Sequence, residues 1–234
     1  MVVFVGNLVE HLQAGVTGII KFKKIKEHFS KVCEKNFTIL DCGGTEFSAE
    51  CIQKIFPNAK ISVLNNNKND LAKNKKYEFL FCDCYKMGDL NRKFDLVFAN
   101  DLIEHLYNPD KFFEEAKKVC KNELIITTPN LAVWYNRIFL LCGFDLANYN
   151  SSRVRLGNPF LSEVGAAGHK SVFTQRSLKR LFKIHGFNSY KMDSFSYEDP
   201  KSPTDGRGGK FRKLINSILP MTWQEGIIAY AKVK

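Results

Sequence analysis

No stretch of this sequence approaches the roughly 20 consecutive apolar residues that a membrane-spanning helix needs. Nor does it contain a Cys-x-x-Cys pair: its seven cysteines are odd in number, and Cys82 and Cys84 stand too close for a redox or zinc pair. Reduced, mostly buried thiols in a cytoplasmic protein are expected. The opening Met1 to Gly6 has no basic leader and meets Glu10 and His11 before any long apolar stretch, which argues against a signal peptide. There is no internal repeat, no low-complexity tract and no long basic tail.

What is present is basic and apolar. The 35 Lys and Arg against 24 Asp and Glu leave a formal charge of +11, spread along the chain in short clusters such as Lys21, Lys23, Lys24 and Lys26. A surplus of this kind suits an anionic acceptor, peripheral contact with an acidic membrane or a Lys-rich proteome, and the scatter makes nucleic acid a minor partner. An apolar content of 44% in 234 residues supports one substantial core with appendages.

Residues 7–35 place Leu8, Leu12, Val16, Ile19, Ile20, Phe22, Ile25, Phe29 and Val32 near a 3.6-residue period. That spacing predicts one or two amphipathic helices, broken around Gly15 and Gly18, and an N-terminal arm or lid over residues 1–36. From Phe37 short apolar runs alternate with longer mixed segments, the mark of βαβ units around a parallel sheet. Strands are predicted at Phe37 to Cys42, Lys60 to Leu64, Glu78 to Cys82, Phe94 to Ala99 and Glu123 to Thr127, with helices near 47–56, 68–74 and 109–121.

An aromatic stretch from Leu131 to Leu146 and a polar loop to Gly168 then read as an insertion, at about 131–170, over the edge of the sheet where ligands of open α/β folds bind. Thr174 is placed to cap a helix through His185 that Gly186 ends. Phe187 to Phe195 and Gly226 to Val233 read as further strands, and 198–210 as a Pro/Gly/charged loop.

Ile39, Leu40, Asp41, Cys42, Gly43 and Gly44 form a strand that ends in an acid and two glycines before a helix, a turn that admits a ligand close to backbone. Phe94 to Leu106, with Asn100, Asp101, Glu104 and His105, closely resembles the fourth-strand motif of class I methyltransferases, and Leu124 to Asn130 resembles their fifth-strand motif. Gly168 to Thr174, the Gly186-Phe187 turn and Glu225 to Val233 agree, so residues 37–234 resemble the type-11 and type-23 methyltransferase group.

The resemblance implies a Rossmann-like, seven-stranded, mostly parallel sheet with helices on both faces and the last strand antiparallel, binding S-adenosylmethionine over the ends of strands one to four. It implies that Asp41, Gly43 and Gly44 line the methionine moiety, that Asn65 meets the ribose and Asp83 the adenine amino group, and that Asn100 or Asp101 meets the methionine end.

Two departures stand out. Thr45 and Phe47 occupy later glycine positions of the family's Asp-x-Gly-x-Gly-x-Gly loop, and Asn65-Asn66-Asn67 replaces the acid that normally takes both ribose hydroxyls.

Methyl transfer needs positioning first and a base only when the acceptor must lose a proton. His105 and His169 are the candidate bases, with turn-fixing as the other reading of His105. Asp101, Glu104 and His105 also share one face of a helical turn and resemble the metal site of ubiquinone-biosynthesis O-methyltransferases. The preferred reading is that they stabilise the turn without a metal. Trp134, Tyr135 and Phe139, with Arg137, Arg153 and Arg155, are read either as an apolar pocket wall with cationic anchors or as a helix packed on the core.

The function expected is methyl transfer to a small-molecule, lipid or glycan-precursor acceptor. A catalytically silent methyltransferase-fold binding protein is the alternative. A nucleic-acid methyltransferase is third, because no Asn-Pro-Pro-Tyr type motif follows the fourth strand.

Overall fold

The short apolar runs become strands because each is buried on both sides. Along β1 (Thr38–Cys42), β4 (Phe94–Asn100) and β5 (Cys120–Pro129), Ile39, Leu96 and Ile125 face one layer, while Leu40, Val97 and Ile126 face the other. Successive strand side chains alternate faces, so a run with no polar break requires cover on both. A computed structural model shows how that cover is provided, and describes residues 17–67, 76–147, 149, 169–196, 215 and 218–234.

One face is covered by α1 (Thr17–His28) and α2 (Glu46–Ile55), which bury Phe22, Ile25, Phe29, Ala49 and Ile52 against it. The other is covered by α3 (Pro109–Val119), which buries Phe112, Phe113 and Ala116, and, beyond the helix α4 (Trp134–Leu141), by α5 (Gln175–Ile184), which buries Leu178 and Phe182. The remaining strands are β2 (Lys60–Asn65), β3 (Glu78–Phe81), β6 (Phe187–Phe195) and β7 (Gly226–Val233).

The seven strands follow the order β3-β2-β1-β4-β5-β7-β6. β1 pairs in parallel with β2 and β4, and β7 runs antiparallel to both β5 and β6. The expected Rossmann-like sheet with its last strand reversed is therefore present. Strand order turns at β1 and β4, which opens a crevice beyond their C-terminal ends. The register sets Cys42 beside Ala99, so Gly43 and Gly44 face the turn that starts at Asn100.

Several boundaries differ from the sequence expectation. Gly18 lies in the first turn of α1, whose apolar stripe of Phe22 and Ile25 is packed into the core. β5 starts at Cys120 rather than Glu123. The predicted α5 is confirmed in detail: the Thr174 side chain accepts from the Ser177 amide in a capping box, and Gly186 follows the helix at φ +75°. The helix expected at 68–74, the loop at 198–210, the start of the arm with Leu8, Leu12, Gly15 and Val16, and Arg153, Arg155 and Gly168 lie outside the described residues. No helix among the described residues is long and apolar enough to cross a membrane.

Candidate active site

β1 carries Asp41 into the crevice fully buried. Ser48, one turn into α2, donates its hydroxyl to Oδ2 of Asp41, while Oδ1 has no partner among the described residues. Burial pushes the Asp41 carboxyl up to about 7, against the Ser48 hydrogen bond and the charge of Lys21, which both favour the ionised form.

The turn after Asp41 needs its two glycines. Gly43 has φ +69°, and a Cβ there would come within 2.7 Å of Leu102. A Cβ on Gly44 would lie 2.2 Å from Oδ2 of Asp41. Glycine is not needed beyond that point. Thr45 is the N-cap of α2 in a reciprocal capping box with Ser48, and Phe47 lies in the first helical turn with 41% of its surface exposed. The missing later glycines are replaced by a helix start.

Asn65, at the end of β2, braces this turn: its amide nitrogen donates to the Gly44 carbonyl at 2.9 Å and its Oδ1 accepts from the Asn67 amide at 2.9 Å. That bond uses one of the two acceptor positions of the oxygen. Asp83, beyond β3, accepts from the Tyr85 amide at 2.9 Å and caps the 3₁₀ turn Cys84–Leu90.

At the end of β4, Asp101 adopts φ +48°, a left-handed conformation that Asp tolerates better than most residues. Thr127, on neighbouring β5, supports it. The Thr127 hydroxyl accepts from the Asp101 amide at 3.1 Å and lies 3.0 Å from Oδ1 of Asn100 and 2.8 Å from Oδ1 of Asp101. The ammonium of Lys21, from α1, pairs with Oδ2 of Asp101. Burial works against the Asp101 carboxylate, but Lys21 and the Thr127 hydrogen bond outweigh it and hold its pKa below the ordinary range.

A third group forms where residues 169–171 cross the turn Ile103–His105. The Glu104 carbonyl accepts from the amides of Lys170 at 2.6 Å and Ser171 at 3.0 Å. That crossing sets the rings of His105 and His169 edge to face, with centroids 4.8 Å apart. The Glu104 carboxyl is buried and accepts from the Thr128 hydroxyl at 3.0 Å. Burial, and then the nearby Asp101 charge, push its pKa well above the usual carboxylate range.

The metal-ligand candidates read from sequence need correction. Asp101 pairs with Lys21 and Thr127, and the third group drawn up with Glu104 and His105 is His169. The potential ligand atoms of these three lie within 4.8 Å of one another. One carboxylate and two imidazoles form a donor set of the kind that suits a first-row divalent ion. Without an ion, the same three groups set two imidazoles, each a possible proton acceptor, beside a carboxyl whose pKa burial raises.

The aromatic insertion forms α4. Trp134, Tyr135 and Phe139 are half-buried, and the Arg137 guanidinium stacks 4.2 Å from the Trp223 ring. On the outer side of α4, Ile138, Leu140 and Leu141 are exposed. Sequence reasoning missed Lys21, Ser48 and Thr127. Lys21 stood in a basic cluster that was noted only for its charge, and Thr127 in the fifth-strand motif.

Three solved structures show the same fold. Magnesium protoporphyrin IX methyltransferase from Synechocystis PCC 6803, with bound SAH, superposes with a TM-score of 0.58 at 10% identity, over 94% of this chain and 84% of the other. A methyltransferase of Bacillus halodurans gives a TM-score of 0.57 at 15% identity, over 91% and 96%. The Burkholderia thailandensis 1,6-didemethyltoxoflavin-N1-methyltransferase, with 1,6-didemethyltoxoflavin and S-adenosylhomocysteine bound, gives 0.54 at 12% identity, over 95% and 81%. Among curated proteins, no sequence matches significantly. The methyltransferase-domain family matches residues 26–191, from within α1 through most of β6, and the chain belongs to that family.

Proposed function

We propose that this protein transfers a methyl group from S-adenosylmethionine to a small-molecule, lipid-like or glycan-precursor acceptor. The observation that carries this reading is the placing of Asp41 at the C-terminal end of β1 and of Asp101 just past the end of neighbouring β4, with an Asp41 Oδ1 that has no partner among the described residues beside a turn that only glycine fits. A buried carboxylate oxygen without a donor is costly unless something supplies one, and the ammonium of the cofactor's methionine end fits that need. Asp41, Asp101 and the Gly43-Gly44 backbone would hold that end. Asn65 would reach the ribose through its Oδ1, and Asp83 would lie toward the adenine.

When bound, S-adenosylmethionine supplies a methyl group already activated on a sulfonium. The chain's own task is to orient the acceptor and exclude water. His105 and His169 face one another on the acceptor side of the crevice, where either imidazole can take the proton that a hydroxyl or amine acceptor loses. The exposed apolar side of α4 and the charge of +11 favour an acceptor that combines an apolar body with an anionic group. The Synechocystis and Burkholderia relatives, both named for small molecules, support the acceptor class.

Calorimetric titration of S-adenosylmethionine and S-adenosylhomocysteine into the wild type and Asp41→Ala tests the reading. Micromolar binding that the substitution abolishes supports it and justifies an acceptor screen. Absence of binding to a folded wild type leaves the chain a silent methyltransferase-fold scaffold.

A further inference from the structure

Lys21 is an anomaly at this edge of the sheet, since its residue surface is only 4% exposed although it belongs to a lysine-rich helix. Its ammonium pairs with Asp101 and lies 5.8 and 5.9 Å from the rings of Phe22 and Phe195. Its positive charge also reaches Asp41 and Glu104, favouring the ionised form of each. One buried cation thus serves three carboxyl groups.

Docking of α1 does not explain a lysine here. The helix is already held by Phe22, Ile25 and Phe29 in the core, by Lys24 on Asp193 at 3.0 Å, and by His28 on Tyr190 at 2.8 Å. An apolar residue opposite a neutral partner would pack at lower cost than a buried ion pair. The charge calls for a different reason.

We propose that Lys21 anchors the carboxylate of the cofactor's amino-acid end, freeing Asp101 to join Asp41 in holding the incoming ammonium. The inference rests on the reading that S-adenosylmethionine binds here. An α-amino acid brings both charges together, so a pocket walled only by Asp41 and Asp101 would attract its ammonium and repel its carboxylate. Among the described residues Lys21 is the buried lysine, and its charge acts on both acids. In the free protein Lys21 and Asp101 neutralise one another, and with ligand the two pairs form a square of alternating charge.

The test compares three ligands on wild type, Lys21→Met and Lys21→Arg: S-adenosylmethionine, its decarboxylated form, which keeps the ammonium, and 5′-methylthioadenosine, which lacks both groups. Wild type should prefer S-adenosylmethionine to the decarboxylated form by at least roughly ten-fold, as for a charged hydrogen bond. Lys21→Met should erase that preference while binding 5′-methylthioadenosine as wild type does, and Lys21→Arg should retain it. Equal weakening of all three ligands by Lys21→Met would assign the residue a structural role and overturn the proposal, as would a preference that survives the substitution. A wild type that binds none of the three overturns the cofactor reading itself.

Discussion

Asp41, the penultimate residue of β1, and Asp101, just past the end of neighbouring β4, titrate on opposite sides of the ordinary carboxylate range: burial pushes the first up to about 7, and Lys21 holds the second below it. The difference comes from their partners. Among the described residues Asp41 has a neutral serine hydroxyl on one oxygen and nothing on the other, whereas Asp101 has an ammonium. At neutral pH the pair offers one fixed negative charge and one that an arriving cation can call up.

The free protein should therefore lose stability as pH rises. A carboxyl whose folded pKa lies above its unfolded value contributes stability that is full below the unfolded pKa, near 3.8, and is lost as pH passes through about 7. Asp41→Asn removes that titration. Urea denaturation should find the variant gaining on wild type between pH 5 and pH 8, by up to a few kcal/mol, and a gap that is constant with pH would contradict the assignment.

Gly44→Ala should disable the site with little effect on the rest of the fold. The new Cβ would fall 2.2 Å from the Asp41 carboxylate, so the turn or the acid must move. S-adenosylhomocysteine affinity should drop by about ten-fold or more, a loss of roughly 1.4 kcal/mol, with far-ultraviolet circular dichroism unchanged. Wild-type affinity in this variant would show that the turn does not line the pocket.

Thr127→Val tests the support of the left-handed turn at Asp101. The isosteric change removes the hydroxyl that accepts from the Asp101 amide and reaches the Asn100 and Asp101 side chains. A loss of about 1–3 kcal/mol in stability is expected, together with weaker cofactor binding. A stable variant with reduced affinity would still fit the account, whereas a variant unchanged in both would not.

His169→Ala should separate binding from chemistry. Its ring lies against His105 and not on the Asp41 turn, so S-adenosylhomocysteine affinity should stay near wild type. With an acceptor that must lose a proton, kcat should fall by about 10²–10⁴ at neutral pH. Equal loss of cofactor affinity would move His169 out of the acceptor side.

The sheet was legible because two-sided burial leaves uninterrupted apolar runs, as at Ile39-Leu40 and Ile125-Ile126, and α5 because Thr174 and Gly186 mark its ends. Asp41 and Asp101 were singled out through the likeness of their strands to methyltransferase motifs, not from local spacing alone. Lys21 was not, since one lysine among Lys21, Lys23, Lys24 and Lys26 carries no sign that it is the buried one. The meeting of His105 with His169 depends on a backbone crossing at Glu104, a tertiary contact that no local spacing encodes. Phe47 looked incompatible with a glycine loop only until the capping box showed the helix beginning one residue before it.

The most direct measurement is the proton balance of S-adenosylhomocysteine binding, obtained by calorimetry in two buffers of different ionisation enthalpy. If the ligand's ammonium meets Asp41, binding should release close to one proton at pH 6 and about half at pH 7, and Asp41→Asn should release none. Binding by the wild type with no proton released, or with the same release in Asp41→Asn, would contradict the placing of the methionine end at Asp41.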